Sequence, residues 1–266
     1  MDKGFYLYCV RSKNDRKFSA KGIGGGKISV IPYQNLETIV SEVSLTEFGS
    51  KGIQKKAKED LGWIKEKAQI HEQVIEEAMK KGGEIIPVIP MKFGTIFKTK
   101  ENLLKTFEKH YSNFKKTLED LTGKQEWAVK VYVIDKEKFA EEIKREDEEV
   151  KKLKESAASE PEGVKYFLEK RIDEEVSKKI SEKLDIYIKD IFQIFYHFSV
   201  KEPVINKLLP EELTGKGREM ISNVSYLVQK ERLDEFQKTV KRLHDYYSSK
   251  GLWIEYTGPW PPYNFI

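Results

Sequence analysis

The first 45 residues carry their apolar positions in short runs rich in β-branched and aromatic side chains. The run 5–10 predicts a strand, and the runs 28–31 and 38–43 predict two more. Pro32 is predicted to end the second of these strands. The glycine cluster at 22–26 predicts a flexible hairpin tip. The chain is therefore expected to open with strands rather than with helices.

From residue 61 the apolar residues recur at alternating spacings of three and four, which predicts two helices. The first should end at Gly82-Gly83 and the second at Gly123. The segment 84–94 between them is apolar but contains prolines, which favours an edge strand or an extended loop. The predicted inward faces consist of Leu61, Ile64, Ala68, His71, Ile75 and Ala78, and of Leu104, Phe107, Tyr111, Phe114, Leu118 and Leu121.

The second half begins with an alternating run at 127–134, which predicts a strand. A charged helical region follows over about 136–198, interrupted near 156–161, where serines and a proline indicate a turn. Its second helix carries a narrow apolar stripe that needs a partner surface. The stripe consists of Leu168, Ile172, Val176, Ile180 and Leu184.

Strands are predicted again at 221–228 and 252–256, with a helix over 233–247 between them. With one more strand hidden in 197–205, this order is close to β-α-β-β-α-β. The predicted fold is α+β with two domains. An N-terminal α+β domain covers 1–123, and a C-terminal ferredoxin-like (split βαβ) domain with long charged helices covers 124–266.

Charge and cysteine content narrow the class of protein. Lys and Arg number 48 against 44 Asp and Glu, so the net charge is only +4 although 35% of the residues are charged. The two signs are mixed along the helices, which disfavours a nucleic-acid partner. The only cysteine, Cys9, cannot form an internal disulfide, and no apolar run approaches the length of a membrane span. We expect a soluble cytoplasmic protein without membrane insertion.

Motifs for catalysis or cofactor binding are incomplete. A P-loop requires a glycine where Lys21 stands and Ser or Thr where Ile28 stands. His71 begins a zinc-protease pattern, but Ile75 occupies the place of the second histidine, so a packed histidine is favoured. Cys9 is predicted to be buried, where a thiolate is disfavoured. These patterns favour a non-enzymatic protein without cofactor or metal.

The last ten residues are rich in proline and aromatic side chains. Prolines at 259, 261 and 262 restrict the backbone, so Trp260, Tyr263 and Phe265 would be held at low entropic cost. A segment packed on the core of its own domain is favoured over an exposed docking peptide.

Two motifs resemble a known family, the gas vesicle accessory proteins F and L (GvpF/GvpL). The closing motif Gly258-Pro259-Trp260-Pro261-Pro262-Tyr263 is similar to that family's signature, although Asn264 replaces the usual serine. The segment Pro90-Met91-Lys92-Phe93-Gly94-Thr95 is similar to an internal family motif, with Lys92 in place of arginine. The order of the other elements also agrees, so the resemblance covers almost the whole chain.

The resemblance implies a non-catalytic role in assembling the gas vesicle. Its implied partners are the hydrophobic shell subunit (GvpA-type) and other gas vesicle accessory proteins, and its implied location is the cytoplasm, in association with the vesicle. We hypothesise that the N-terminal domain supplies the contact, through the segment 84–94 or its apolar helix stripes. The candidate protein-binding or signature residues are Pro90, Phe93, Gly94, Thr95, Gly258, Pro259, Trp260, Pro261, Pro262 and Tyr263.

Two other interpretations remain open from the residues alone. A ferredoxin-like module could bind a small ligand through the glycine cluster and act in regulation, although the phosphate-loop spacing is missing. An enzyme of unrecorded chemistry would require a deep pocket with converging polar groups.

Overall fold

A computed structural model describes residues 2–15, 17–210 and 217–266. The chain forms two compact units, of which the first comprises Met1–Glu126 with Pro259–Ile266 and the second comprises Trp127–Gly258. The last eight residues thus belong to the first unit, whereas the sequence placed them in the domain 124–266. The reason is packing, because the Tyr263 hydroxyl lies 3.1 Å from Nε2 of His71 and donates to Glu72, both in the first unit.

A five-stranded sheet forms the centre of the first unit. Its order is β2-β3-β1-β6, and β7 also pairs with β1. All the described pairings of β1 are antiparallel. The strands are β1 (Lys3–Ser12), β2 (Ile28–Tyr33), β3 (Leu36–Ser44), β6 (Val88–Pro90) and β7 (Ile96–Phe97), and a separate hairpin pairs β4 (Lys80–Lys81) with β5 (Glu84–Ile85).

The three predicted opening strands are present, with two differences. Pro32 lies inside β2 and does not end it, because β2 is an edge strand and can accommodate a residue without an N–H donor. The glycine cluster is not merely a hairpin tip. It contains a 3-10 turn at Ile23–Gly25, and Ile23 is fully buried.

Helices cover both faces of this sheet. Tyr6 and Tyr8 of β1 pack towards α3, and Leu7 and Val10 pack towards α4, so the central strand is buried on both faces. The helices of the first unit are α1 (Leu45–Phe48), α2 (Ser50–Glu59), α3 (Leu61–Ala78) and α4 (Lys100–Leu121). The sequence predicted α3 and α4 but did not predict α1 and α2.

The inward face of α3 was predicted correctly only in its second half. His71, Ile75 and Ala78 are buried, but Leu61 is 77% exposed. Leu61 is the first residue of the helix, directly after the N-cap Asp60, whose side chain accepts a hydrogen bond from the Trp63 N–H. The position of the cap therefore sets the start of the helix, and the first turn lies outside the part of α3 that packs on the sheet.

The second unit contains a four-stranded sheet of order β11-β8-β10-β9. Its strands are β8 (Lys124–Val133), β9 (Val204–Ile205), β10 (Glu219–Gln229) and β11 (Leu252–Trp260), and its helices are α5 (Lys136–Glu146), α6 (Glu148–Ala158), α7 (Glu162–Tyr196) and α8 (Leu233–Ser248). The strand predicted within 197–205 is β9. The final strand continues to Trp260 and does not end at residue 256.

The charged helical region breaks twice, and the sequence predicted only the second break. The predicted turn lies before α7, with Pro161 as its N-cap residue. The other break is at Asp147, whose carboxylate accepts hydrogen bonds from the Glu149 and Val150 N–H groups and so begins a new helix. The apolar stripe of α7 finds a partner in α5 and α6, because Ile172 and Val176 cluster with Ile143, Val150 and Ala157. None of the described helices combines the length and the apolar composition needed to cross a bilayer.

Candidate functional site

His71 lies at the centre of a buried hydrogen-bond network in the first unit. It is 1% exposed and projects from α3 towards β1. Its Nδ1 is 3.1 Å from the Tyr6 hydroxyl. Its Nε2 is 3.0 Å from the Met91 carbonyl oxygen and 3.1 Å from the Tyr263 hydroxyl. The His71 side chain therefore links β1, the segment after β6 and the C-terminal segment, residues 259–266.

The hydrogen bonds at the two ends of the network show which atoms donate and which accept. The Gly94 N–H donates to the Tyr6 hydroxyl at 2.9 Å, and the Tyr263 hydroxyl donates to Oε1 of Glu72 at 2.9 Å. Because a carbonyl can only accept, we assign the His71 proton to Nε2, which donates to Met91. The Tyr6 hydroxyl then donates to the unprotonated Nδ1.

The segment 90–95, which carries the internal motif, packs against this network. The Phe93 ring lies 5.8 Å from the His71 ring and 6.2 Å from the Tyr6 ring, in edge-to-face geometry. Gly94 has a φ of +84°, which side chains other than glycine rarely adopt, and a Cβ there would lie 3.2 Å from Ile53. Glycine at this position therefore lets the backbone turn so that its N–H reaches Tyr6.

The two ends of the same segment are fastened to β1. Pro90 is the last residue of β6 and pairs with Cys9. The Thr95 carbonyl accepts a hydrogen bond from the Leu7 N–H at 2.9 Å, and the Thr95 hydroxyl donates to the Lys92 carbonyl at 2.7 Å. The segment 90–95 is thus a tight turn attached to the central strand.

The C-terminal segment docks into the first unit through both apolar and polar contacts. Pro261, Pro262 and Phe265 are buried. Asn264 donates from its backbone N–H to Oε2 of Glu126 at 3.2 Å and from its side chain to Oε1 at 2.6 Å. The packed interpretation of this segment agrees with these contacts, and the hydrogen-bond partners His71, Glu72 and Glu126 all lie in the first unit.

The structure brings together only part of the predicted site. Phe93, Gly94 and Tyr263 meet around His71, whereas Gly258 belongs to the second unit. Pro259 and Trp260 are half-buried at the end of β11. Gly258 has a φ of +141°, which explains why this strand position favours glycine.

Sequence reasoning missed Tyr6, Glu72 and Glu126 as partners of the signature residues. Apart from the two motifs at 90–95 and 258–263, the signal for the site was the position of His71 on an apolar helix face. Contacts such as His71–Tyr263, which spans 192 residues, have no local pattern that could have revealed them.

Burial keeps His71, Tyr6 and Tyr263 in their uncharged forms at neutral pH. It lowers the pKa of His71 from its ordinary 6.5 to about 4 and raises the pKa values of Tyr6 and Tyr263. Burial also raises the pKa of Glu72, although the Tyr263 hydrogen bond opposes that shift. Cys9 is completely buried with a pKa of about 12, so its thiol stays protonated. Among the described residues, no group of three or more His, Cys, Asp and Glu is placed to hold a metal ion.

The lowered pKa of His71 predicts a stability loss in acid. The unfolded chain takes up this proton near pH 6.5 and the folded chain only near pH 4, so stability is complete above pH 6.5 and falls between these values. The expected loss is about 3 kcal/mol in the free energy of unfolding. Chemical denaturation of the wild type and His71→Gln at pH 7 and pH 4 measures it, because the difference between their pH profiles isolates this residue. If the stability of both proteins changed equally between pH 7 and pH 4, the lowered pKa of His71 would be contradicted.

The comparison with known families decides the identity of the chain. The model of the family described as "Gas vesicle synthesis protein GvpL/GvpF" matches residues 4–266. The chain belongs to the GvpL/GvpF family. This confirms the resemblance carried by the segments 90–95 and 258–263.

Individual members of the GvpL/GvpF family match over nearly their full lengths. Gas vesicle protein L1 of Halobacterium salinarum is 25% identical, over 100% of this chain and 91% of the relative. Gas vesicle protein F1 of the same organism is 24% identical, over 100% and 94%. The crystal structure of GvpF from Anabaena sp. shares the fold with a TM-score of 0.72 at 17% identity, covering 99% of this chain and 98% of that one. GvpF from Microcystis aeruginosa aligns with a TM-score of 0.63 at 19% identity.

In this GvpL/GvpF chain, Tyr263→Phe is expected to lower the free energy of unfolding by about 1 kcal/mol. The variant keeps the ring but removes the hydroxyl that donates to Glu72 and leaves that carboxylate without its partner. Urea denaturation measures the change. Tyr166→Phe is the matched control, because Tyr166 is 66% exposed and its hydroxyl should contribute nothing measurable. Equal stability of the two variants would show that the Tyr263 hydroxyl does not help to hold the segment.

Proposed function

We propose that this chain is a non-enzymatic assembly protein of gas vesicles, which binds the GvpA-type shell subunit and helps to build the vesicle. The observation that carries the proposal is the family match over residues 4–266, together with full-length similarity to an L and an F protein. Association with the gas vesicle and contact with other gas vesicle accessory proteins follow from the same proposal.

The chemistry of the site supports a non-catalytic role. The nitrogens of His71 are engaged by Tyr6, Met91 and Tyr263, and its lowered pKa makes it a poor proton acceptor at neutral pH. The Cys9 thiol is buried and protonated, so it is a poor nucleophile. These groups are better suited to joining chain segments than to reacting with a substrate.

We also infer that the second unit is ferredoxin-like. In chain order it runs strand, helices, two strands, helix and strand, and its sheet places the fourth strand beside the first, then the third and the second. This order supports the split βαβ arrangement with two helices, α5 and α6, added before α7.

The hypothesis that the first 123 residues contact the shell subunit stays a prediction, and side-chain exposure limits the form it can take. Val88 is fully buried and Ile89 is 5% exposed, so the segment 84–94 offers few apolar side chains. From the apolar stripe of α3, Leu61 is 77% exposed and is the best candidate for a contact.

Co-purification and a buoyancy assay test the proposal together. The full-length chain, carrying an affinity tag, is co-expressed with the shell subunit from the same gas vesicle gene cluster, and an unrelated tagged protein of similar size serves as the control. In parallel, the gene is deleted in a vesicle-forming host and restored on a plasmid. We expect specific co-purification, and loss of floating cells that the plasmid reverses. Normal vesicles in the deletion strain, with no co-purification, would refute the proposal.

A further inference from the structure

The second unit exposes a concentration of large apolar side chains near the end of α7 and the strand that follows. Five such side chains lie within residues 196–209, and Ile205 is 76% exposed. Isolated exposed apolar residues are ordinary, but this many in one short stretch of chain indicate an interaction surface. The five residues are Tyr196, Val200, Ile205, Leu208 and Leu209.

The backbone in the middle of this stretch, at β9, is an open sheet edge. Among the described residues, β9 is the last strand of its sheet and pairs only with β10. The Asn206 N–H donates to the Asn223 carbonyl at 2.8 Å, and Ile205 is opposite Val224. Because antiparallel residues alternate between bonded and non-bonded pairs, the N–H and C=O of Ile205 point away from β10. The edge therefore offers one donor and one acceptor to another strand.

An apolar groove of about 320 Å³ lies beside this edge, between α7 and the sheet. Its apolar lining comes from Ile188 and Phe192 of α7, Ile221 of β10, and Ile205 and Leu208. A strand added to β9 would direct every second side chain to the groove side of the sheet. Asp185 and Lys189 are also part of the lining, one helical turn apart and of opposite charge, so a strongly charged segment of either sign gains no net attraction.

We propose that the β9 edge and this groove bind an extended, uncharged apolar segment of the shell subunit, which adds a strand to the sheet of the second unit. The identity of the partner rests on the proposed function. The chemistry of the occupant rests on the open donor and acceptor of Ile205, the apolar groove and the balanced charges in its lining. The surface lies in the second unit, in contrast to the hypothesis that the N-terminal domain makes the contact.

Two pairs of substitutions in the full-length chain test the proposal. Ile205→Pro removes the outward N–H without removing a bond to β10, and Ile205→Asp places a charge at the groove. Leu61→Pro and Leu61→Asp are matched controls. Leu61 is equally exposed, it lies at the first position of α3, where proline is tolerated, and it belongs to the competing surface. Circular dichroism and thermal melting establish that all four variants fold.

Binding is measured with two probes, the shell subunit and an end-blocked octapeptide of alternating valine and threonine. We expect both Ile205 variants to bind each probe at least tenfold more weakly than the wild type, and both Leu61 variants to bind as the wild type does. Hydrogen exchange should show the Ile205 amide protected in the complex.

The outcomes separate this inference from the proposed function. If the peptide binds as expected but the shell subunit does not, the proposed function fails and the strand-accepting edge stands. Unchanged binding of both probes by the Ile205 variants would overturn the inference, and so would loss of binding only in the Leu61 variants. A wild-type dimer that Ile205→Pro converts to a monomer, with shell binding intact, would identify a second copy as the occupant and also overturn it.

Discussion

Deleting residues 259–266 is expected to lower the melting temperature of the first unit by roughly 10 °C or more. The deletion removes the buried Phe265 side chain, whose burial alone is worth about 1.5–3 kcal/mol. It also removes the Tyr263 hydroxyl that donates to Glu72, at about 1–3 kcal/mol, and the two Asn264 donors to Glu126. Together these losses amount to several kcal/mol, a large part of the stability of an ordinary domain.

Differential scanning calorimetry measures the shift, and hydrogen exchange locates it. Protection should be lost in β1 and α3, which contact the segment, and retained in α7 and α8 of the second unit. Deleting Ile266 alone is the control, because this side chain is 53% exposed. Loss of protection confined to the second unit would instead support the sequence-based expectation that the segment stabilises the C-terminal domain. An unchanged melting curve would show that the segment stabilises neither unit.

Periodic side-chain patterns predicted most of the regular elements. The three-four spacing in α4 and α8 and the short β-branched runs in β1 to β3 reflect which faces are buried, and burial is the main source of their stability. The prediction failed where a polar cap decides the outcome. Asp147 divides a helix whose charged sequence shows no interruption, because a carboxylate at that point can satisfy free N–H groups.

The site itself could be predicted only in parts. Prolines and aromatic residues near the C-terminus correctly indicated a packed segment, since they limit conformational entropy and bury large surfaces. They carry no information about which surface receives the segment. The contact of Tyr263 with His71 and Glu72 depends on how α3 and the C-terminus meet in three dimensions, and no local pattern records that meeting.

Arg11, near the end of β1, is a second residue whose environment the local sequence pattern does not predict. In the sequence it begins the polar stretch after the apolar run 5–10, which suggests that the strand has ended. In the structure β1 continues to Ser12, and Arg11 is fully buried opposite Glu37 of β3. Its Nε donates to Oε1 of Glu37 at 2.8 Å, and its Nη1 donates to the Ala78 carbonyl at 2.8 Å. A buried ion pair allows a charged residue to occupy an interior strand position.

Glu37→Gln is therefore expected to lower the free energy of unfolding by about 3–5 kcal/mol. The substitution preserves the size of the side chain but leaves the Arg11 guanidinium buried without a counter-charge, and its Nη2 already has no hydrogen-bond partner. Denaturant titration at pH 7 measures the loss. The control is Asp234→Asn, which removes one partner of the Lys238–Asp234 pair, because both of those side chains are more than 70% exposed and solvent screens their attraction.

The double variant Arg11→Met/Glu37→Leu separates the cost of an unpaired charge from the value of the pair. Replacing both charged groups with apolar side chains of similar size removes the desolvation penalty together with the attraction, so the double variant should be more stable than Glu37→Gln. We expect the double variant to be about as stable as the wild type and Glu37→Gln to be less stable than both. A double variant that is less stable than Glu37→Gln would show that the Arg11–Glu37 pair, with the Ala78 contact, contributes net stability to the junction of β1, β3 and α3.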